Sequence, residues 1–360
     1  MNANELAEVF PVGDLLAEEI DARGWTQGDF AAILRRPAQF VSEILTGKKE
    51  ITRESAAQIG AALGTSAELW LRNQDTYHLW RQSKDARAQD ELDEVRRRAT
   101  LSERVPVALL IKRGFLAAGS VAQQERDIAE LYGVDELDQS SFLLAARRSS
   151  LEGSLTPIQL AWVRCVHKVA LEKLPAQPYS TSGLRQLAVS LARDLARADA
   201  FAELPVRFAE VGVKLVFVES FPGSRLDGCT FLLDGVPVIG LSGRGQRMDK
   251  VLFTLMHEIA HILLDHLGQH DVIVDELDRE MPVGNESEAD QQAADWVMPD
   301  PLPDRIPARV GYDWVAGHAT ARGIHPILVV GRLQKCGKIG WKTSLVRGAP
   351  NVIEYLRRWP

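Results

Sequence analysis

Residues 251–266, VLFTLMHEIAHILLDH, contain the motif His257-Glu258-Ile259-Ala260-His261. Apolar residues recur around the motif at helical spacing, and this pattern predicts a buried helix. Two histidines four residues apart lie on one face of a helix, so both imidazoles can reach one tetrahedral zinc ion, with Glu258 beside the water that the metal activates. The stretch therefore predicts the central helix of a zinc hydrolase. A structural zinc site, or a site that has lost its activity, would keep the same motif.

A zinc site of this kind needs a third ligand from a second element, and the segment from Asn285 to Asp290 offers two glutamates. Glu286 and Glu288 lie about 200° apart around a helix, so only one of them can face the metal. With Asn285 as N-cap, Glu288 completes a capping box, while Glu286 shares a face with Asp290. The pattern favours Glu286 as the ligand and Asp290 as a residue that orients a ligand histidine. Glu288 is the alternative ligand, and both glutamates would also suit a helix N-terminus without any metal.

The motif HEIAH and the segment ESEADQQAADWVMP at residues 286–299 resemble the ImmA/IrrE zinc metallopeptidases. The segments RGQRMDKVLFTLM and GIHPILVVGRLQ, before and after them, are similar to the same family, so the resemblance extends over about residues 205–334. It implies a zincin-like α+β domain with a small sheet.

The same resemblance implies His257, His261 and Glu286 as zinc ligands and Glu258 as the general base. One departure from the family is Asp290, which stands where Asn is common. Either side chain can hydrogen-bond a ligand histidine, so the departure does not disturb the predicted site.

The N-terminal region predicts four short helices joined by brief turns, at residues 12–23, 26–34, 37–45 and 52–63. Thr26 and Thr52 stand at N-cap positions, and Gly64 is a stop signal for the fourth helix. Such helices suggest a helix-turn-helix, although a small bundle that serves only dimerisation would give the same periodicity.

The segments GWTQ, FVSEILTGKKEIT and ALGTSAELWL, within residues 24–71, closely resemble HigA-type antitoxins of the Xre helix-turn-helix family. The third helix of that family enters the major groove of operator DNA. By position, the resemblance implies DNA contacts from six residues. Those near base edges are Ala38, Gln39, Phe40 and Ser42, and those near phosphates are Gln27 and Lys48. Two departures are Arg35, where the turn usually has Gly, and Pro37, where the recognition helix usually has a Ser cap.

The charge of the N-terminal region is unfavourable for DNA. Residues 1–80 contain seven Lys or Arg and twelve Asp or Glu, a net charge of −5. Binding would therefore depend on the basic cluster around one helix, which consists of Arg35, Arg36, Lys48 and Lys49. We expect salt-sensitive binding and a homodimer that doubles these contacts.

The composition of the sequence divides the whole chain into five segments. We predict a helix-turn-helix domain at 1–80, a charged helical linker at 81–104, a helical region at 105–200, a metallopeptidase domain at 201–345 and a C-terminal tail at 346–360. Three predicted strands, Val213 to Val218, Thr230 to Leu233 and Val236 to Leu241, make a small meander before the zinc helix. An edge strand at Val236 to Ser242 could pair with the substrate backbone.

Three further residues are candidates for the site. His325 or Arg332 could supply the second group that stabilises an oxyanion, although a structural role is favoured for both. Cys229 could reach the metal. The three cysteines, Cys165, Cys229 and Cys336, have no C-x-x-C spacing and predict reduced thiols.

The whole chain of 360 residues is 46% hydrophobic and 25% charged with a net charge of −7, which is typical of a globular protein without a dominant basic surface. It has no apolar run long enough to span a bilayer and no signal-peptide pattern, so we expect no membrane partner and a cytoplasmic protein. It contains neither a P-loop nor a dinucleotide-binding fingerprint.

Two function classes follow. The first is a DNA-binding transcriptional regulator whose zinc-dependent endopeptidase domain cleaves a regulatory partner protein, as in stress response or in mobile-element or toxin–antitoxin control. The second is a HigA-like antitoxin or repressor that binds operator DNA and a toxin without proteolysis. The intact Glu258 favours the peptidase, because a structural zinc site has no use for a general base.

Overall fold

The computed structural model describes residues 9–135, 137, 155–269, 272–275, 284–303 and 305–360. The chain folds into two compact units, residues 1–99 and 100–360. The first unit contains α1 Val12–Asp21, α2 Gln27–Leu34, α3 Ala38–Leu45, α4 Arg53–Leu63, α5 Ala67–Lys84 and most of α6 Ala86–Arg104.

Within its described residues, the second unit contains a four-stranded sheet and further helices. They are α7 Val107–Lys112, α8 Val121–Tyr132, α9 Pro157–Leu171, α10 Thr181–Asp194, α11 Leu204–Ala209, β1 Lys214–Phe217, β2 Gly228–Leu233, β3 Val236–Leu241, α12 Met248–Leu263, β4 Val272–Asp275, α13 Asn285–Val297, α14 Tyr312–Arg322, α15 Pro326–Lys335 and α16 Ile353–Leu356. Short 3-10 helices lie at Ala198–Glu203, His266–Gln269 and Ser344–Val346. The predicted fold class is confirmed: helices at the N-terminus precede a mixed α+β region with a small sheet.

The first unit forms its helices where the capping residues indicate. Thr26 accepts a hydrogen bond from the backbone of Asp29, whose carboxylate accepts one in return, and Thr52 makes the same box with Ser55. Gly64 ends α4 in the left-handed conformation. These caps confirm the predicted helix starts and the predicted stop.

The turn between α2 and α3 depends on an unusual backbone conformation. Arg35 adopts φ 57° and ψ 38°, the left-handed region in which glycine is preferred. This conformation explains why the related turn usually has Gly, and it costs Arg35 some strain. Pro37 precedes α3 with φ −61°, a value that proline adopts freely. No side-chain hydrogen bond caps the start of α3. Around these helices, Phe30, Val41, Ile44 and Trp70 are buried in one core.

The sheet order is β1-β3-β2-β4, so the predicted simple meander is wrong. The tight turn at Asp234 and Gly235 makes β2 and β3 an antiparallel hairpin, as predicted. β1 pairs with β3 instead of β2, and the two strands run parallel. β3 is therefore an inner strand, and the expected role of Val236 to Ser242 as an exposed edge for the substrate backbone is wrong, because both of its edges are already hydrogen-bonded.

The sheet separates two apolar cores. α12 packs against β2 and β3 on one side, where Leu252, Leu255 and Ile259 are fully buried. α9 packs against β1 and β3, and its Trp162 donates a hydrogen bond from Nε1 to the carbonyl of Val218 at 2.9 Å. α12 is thus buried between the sheet and the α10 side of the core.

Residues 346–360, which we predict as a tail, pack against the rest of the second unit. Val352 and Leu356 are fully buried, and Trp359 donates from Nε1 to the carbonyl of Phe201 at 2.9 Å. Within the part of the chain that the structure describes, no helix is long and apolar enough to cross a membrane.

Candidate functional site

The predicted zinc motif lies in the buried middle of α12. His257, Glu258 and His261 are at most 1% exposed, and α13 packs along the same face of α12. Leu252, Leu255 and neighbouring apolar residues hold the helix in the core, which leaves the histidine rings facing α13. The helix-spacing argument from the sequence therefore gives the observed arrangement.

Glu286 of α13 joins the two histidines. One donor atom from each of His257, His261 and Glu286 lies within 4.8 Å of the other two. The two Nε2 atoms are 2.9 Å apart, and Glu286 oxygens lie 3.2 Å from Nε2 of His257 and 3.6 Å from Nε2 of His261. Ligands around a tetrahedral zinc lie about 3.3 Å from one another when the metal–ligand distance is about 2.0–2.1 Å. The residues present therefore fit a metal ion.

The Nδ1 atoms of both histidines have partners of their own. Nδ1 of His257 lies 2.9 Å from an oxygen of Asp290, and Nδ1 of His261 lies 2.9 Å from Nδ1 of His266. A proton on each ligand's Nδ1 satisfies these contacts and leaves an electron pair on each Nε2. With the Glu286 carboxylate, three electron-pair donors then face one point, which is favourable when a cation lies between them.

His266 is a part of this site that the sequence prediction missed. When Nδ1 of His266 accepts a hydrogen bond from the Nδ1–H of His261, the hydrogen of the His266 ring lies on Nε2 and faces Glu288, whose carboxylate oxygen is 3.6 Å away. Burial lowers the pKa of His266, although Glu288 acts in the opposite direction. This ring is therefore kept neutral and able to accept from His261.

The two glutamates of α13 have different surroundings. Glu286 faces both histidines, whereas Glu288 is 64% exposed and contacts only the outer residue His266 in this group. The proposed capping box is wrong: α13 begins at Asn285 itself, Gly284 is the N-cap, and no side chain caps the helix. The helix starts one residue earlier than predicted, yet the four-residue spacing still brings Glu286 and Asp290 to one face.

Asp290 links the histidines to α15. Its carboxylate contacts His257 and accepts a hydrogen bond from Nζ of Lys335 at 3.1 Å. Burial raises the pKa of Asp290, but the hydrogen bond with His257 and the charge of Lys335 outweigh burial and lower this pKa below its ordinary value. The carboxylate is therefore ionised at neutral pH, as an acceptor for a histidine N–H must be.

Glu258, the predicted general base, lies between the two histidines in the sequence of α12. Its Oε2 accepts a hydrogen bond from Oγ1 of Thr230 in β2, and the side chain is fully buried. A Cβ on Gly228 would lie 2.0 Å from Oε1 of Glu258, so only glycine leaves room for the carboxylate here. The neighbouring strand thus fixes the orientation of Glu258.

The other candidate residues from the sequence fall outside this cluster. Cys229 is the neighbour of Thr230 in β2, so its side chain points to the opposite face, into the core with Val166. The expectation that Cys229 could reach the metal is therefore wrong. His325 caps α15 by accepting from the backbone of Ile327 at 3.1 Å, and burial lowers its pKa. Arg332 lies in a neighbouring pocket.

The predicted DNA contacts lie on α2, α3 and the turn after α3. Gln27, Ala38, Gln39 and Lys48 are exposed, whereas Phe40 and Ser42 are half-buried. Gln39 donates to Glu43 at 2.8 Å. The ring of Phe40 has the Arg36 guanidinium at 5.4 Å and the Lys49 ammonium at 5.2 Å from its centroid.

Acidic residues neutralise part of the positive charge of the basic cluster on the predicted DNA-binding face. Arg36 pairs with Glu54, and Lys49 lies 3.6 Å from Glu43. Arg35 and Lys48 form no ion pair with any described residue. These two side chains are therefore the cations that are most available to phosphates.

Comparisons with known proteins give two findings. Residues 210–316 match the peptidase M78 family, described as the IrrE N-terminal-like domain. The chain is also 30% identical over 67 residues to the uncharacterized HTH-type transcriptional regulator YddM of Escherichia coli (strain K12), a match that covers 19% of this chain and 71% of that protein. These findings confirm that a helix-turn-helix region is combined with an IrrE-like domain.

Proposed function

The chain belongs to the HTH-type transcriptional regulators through its N-terminal region and contains an IrrE N-terminal-like domain at residues 210–316, and we propose that this domain is a zinc-dependent endopeptidase that cleaves a regulatory partner protein. The observation that carries the proposal is that two histidines and a glutamate, which are common metal ligands, converge beside the buried Glu258. The match to a peptidase family supports the same reaction class.

Zinc is the metal that we propose for His257, His261 and Glu286. Two imidazoles and one carboxylate with an open fourth position are the donor set of catalytic zinc sites. Asp290 and His266 would hold the two rings in the orientation and tautomer that bind the metal, as outer partners commonly do.

The chain's own residues supply the proton transfers. A bound zinc ion supplies Lewis-acid chemistry, which activates a water and polarises the scissile carbonyl. Glu258 then takes a proton from the attacking water and passes it to the leaving amine. Thr230 holds Oε2 of Glu258, so the carboxylate is already oriented before the substrate arrives.

For the N-terminal region we propose operator binding as a homodimer. Ala38, Gln39, Phe40 and Ser42 would lie at base edges, with Gln27 and Lys48 at phosphates. The net charge of −5 over residues 1–80 supports a dimer, because one copy offers few phosphate contacts.

The second candidate is a HigA-like antitoxin or repressor that binds a toxin and its operator without proteolysis. It is supported by the match over 71% of a relative whose name gives transcriptional regulation and no peptidase. In this function the second unit would bind its partner and leave it intact.

Glu258→Gln separates the two candidates. The variant removes the base and keeps the metal ligands, so zinc content should be unchanged while proteolysis falls by about 10² to 10⁴-fold. The full chain and the variant are expressed in cells, and new protein N-termini are quantified by mass spectrometry. The exposed Glu210 provides the matched control Glu210→Gln, which should behave as the parent does.

The result decides between cleavage and binding. Protein fragments that depend on the parent and on Glu210→Gln, and that disappear with zinc-loaded Glu258→Gln, support the peptidase. If Glu258→Gln keeps its zinc, regulates its operator as the parent does and changes no fragment, the antitoxin-like function replaces the peptidase.

A further inference from the structure

A pocket of about 230 Å³ lies beside the candidate metal centre. About 10–15 Å³ in this measure holds one water molecule, so the pocket is far larger than a packing void. Its wall includes Asp249 and Phe253, which precede His257 by eight and four residues, so all three lie on one face of α12. The pocket therefore lies next to the candidate metal centre, on the side nearer the N-terminus of α12.

The pocket and the metal centre share contacts as well as a helix face. The rings of Phe253 and His257 have centroids 6.4 Å apart. Lys335 lines the pocket, and its ammonium hydrogen-bonds Asp290, which in turn contacts His257. A peptide held at the metal centre would thus place a neighbouring side chain within reach of the pocket.

The charge of the pocket wall is strongly positive in a chain whose net charge is −7. Five basic residues line it, namely Arg244, Arg247, Lys250, Arg332 and Lys335, against two acidic residues. Both acids are already paired, Asp227 with Arg244 at 2.9 Å and Asp249 with Arg247 at 2.6 Å. The pocket therefore carries an excess of positive charge.

Two of the basic side chains are available to a ligand. Lys250 and Arg332 form no ion pair with any residue in the described ranges. The Lys250 ammonium lies 5.7 Å from the ring centroid of the 61% exposed Trp341. A carboxylate entering the pocket could accept hydrogen bonds from both cations, and such charge-assisted bonds are stronger than neutral ones.

The apolar part of the pocket lies deeper than the charges. Val297 and Leu328 are buried, whereas Lys250 and Lys335 are exposed. A side chain with a hydrocarbon stem and a carboxylate tip matches this arrangement, since the stem contacts apolar wall and the tip reaches the cations. Glutamate fits this description better than the shorter aspartate.

We propose that this pocket binds an acidic side chain, preferably glutamate, that lies next to the scissile bond of the protein substrate. The proposal rests on the peptidase function proposed above and names the class of residue that the peptidase selects. It places Lys250 and Arg332 as the residues that determine this specificity.

The first experiment reads specificity from cleavage. The zinc-loaded full chain is incubated with end-blocked random decapeptides, and the cleaved sites are sequenced by mass spectrometry. We expect glutamate to be enriched about tenfold over glutamine at one fixed position near the cleaved bond. The double variant Lys250→Glu/Arg332→Glu should lose this enrichment and favour Lys or Arg at that position. The exposed residues Lys112 and Arg309, which lie outside the pocket, supply the matched control Lys112→Glu/Arg309→Glu.

The second experiment measures binding without cleavage. Zinc-loaded Glu258→Gln is titrated into two fluorescein-labelled decapeptide pools, one with a fixed central glutamate and one with a fixed central glutamine. We expect about tenfold tighter binding of the glutamate pool, and equal binding once Lys250 and Arg332 are reversed in charge. The folded state of every variant is checked by its zinc content and its circular dichroism spectrum.

The outcomes distinguish the pocket from the peptidase. Cleavage without an acidic preference overturns the pocket assignment and leaves the peptidase standing, as does equal binding of the two pools. Preference for the glutamate pool without any cleavage supports the pocket and contradicts the peptidase. Displacement of the glutamate pool by inorganic phosphate at lower concentrations than by N-acetylglutamate amide would overturn the side-chain assignment in favour of a phosphate site.

Discussion

The candidate metal centre and the candidate DNA-binding face hold their functional side chains in different ways. His257 and His261 are buried, and each makes a contact at Nδ1 that fixes its ring. On the DNA-binding face, Gln39 and Lys48 are exposed, and Gln39 has only a local contact with Glu43 four residues away.

This difference predicts where a substitution should have a large effect on binding and where it should have a small one. A buried donor that loses its partner leaves polar atoms without compensation, so one change disturbs the whole group. An exposed side chain on a helix can adopt another rotamer or hydrogen-bond to water. Its removal therefore changes the binding free energy only by the contribution of that one side chain. We therefore expect large, coupled effects at the metal centre and small, separate effects on the DNA-binding face.

The largest effect should follow removal of a histidine ligand. His261→Ala leaves two donors, which bind zinc weakly, so we expect zinc affinity to fall by more than about 100-fold, beyond the range for outer partners. Affinity is measured by competition with a chromophoric chelator. A His261→Ala protein that keeps stoichiometric zinc under this competition would remove His261 from the ligand set.

The two glutamates of α13 provide a matched pair. Glu286→Gln should lower zinc affinity by about 100-fold, because it replaces a charged donor that faces both histidines. Glu288→Gln should lower it by less than about tenfold, since Glu288 acts only through His266 and is largely exposed. The same chelator competition compares the two proteins, and the opposite ranking would make Glu288 the ligand.

The outer partners should have intermediate effects. Asp290→Ala and His266→Ala should each lower zinc affinity by about 10- to 100-fold, because each leaves a ligand histidine without its orienting acceptor. Asp290→Asn and His266→Gln are the controls, since an amide oxygen can still accept a hydrogen bond from the histidine N–H and should restore part of the affinity. Equal affinities for an alanine variant and its amide control would show that orientation through the hydrogen bond is unimportant.

The smallest effects are expected on the DNA-binding face. Gln39→Ala should reduce the free-energy difference between binding to the preferred and to other bases by about 1 kcal/mol. This value is at the low end of the range for such contacts, because Gln39 must break its hydrogen bond with Glu43 before it can contact a base. Lys48→Ala should weaken all sequences about equally and reduce the salt slope by about one. Both are measured with operator and scrambled duplexes at several salt concentrations. Identical behaviour of the two variants on both duplexes would favour the dimerisation-only bundle.

Much of the fold and part of the site could be predicted from local patterns. The caps Thr26 and Thr52 and the stop at Gly64 follow from neighbouring residues that satisfy free backbone groups, and such signals need no tertiary contact. The spacing of His257 and His261, and that of Glu286 and Asp290, follows from the helix period alone.

Other features could not be predicted because they depend on where the chain turns. His266 follows His261 by five residues and would leave the ligand face of a continuous helix. It contacts His261 because α12 ends at Leu263 and a 3-10 helix redirects the chain. The strand order was mispredicted because a local hairpin signal gives no information on where β1 pairs.

The amino-acid sequence alone was enough to predict a helix with two histidines and a glutamate at metal-binding spacing, and an N-terminal set of short capped helices. The tertiary structure decided which residues meet. It brought Glu286 against the histidines, set Thr230 and Gly228 around Glu258, and gathered the cations of the pocket from α12, α15 and the segment before α12. The physical reason is that periodicity fixes neighbours within one helix, whereas contacts between elements depend on the packing of the whole core.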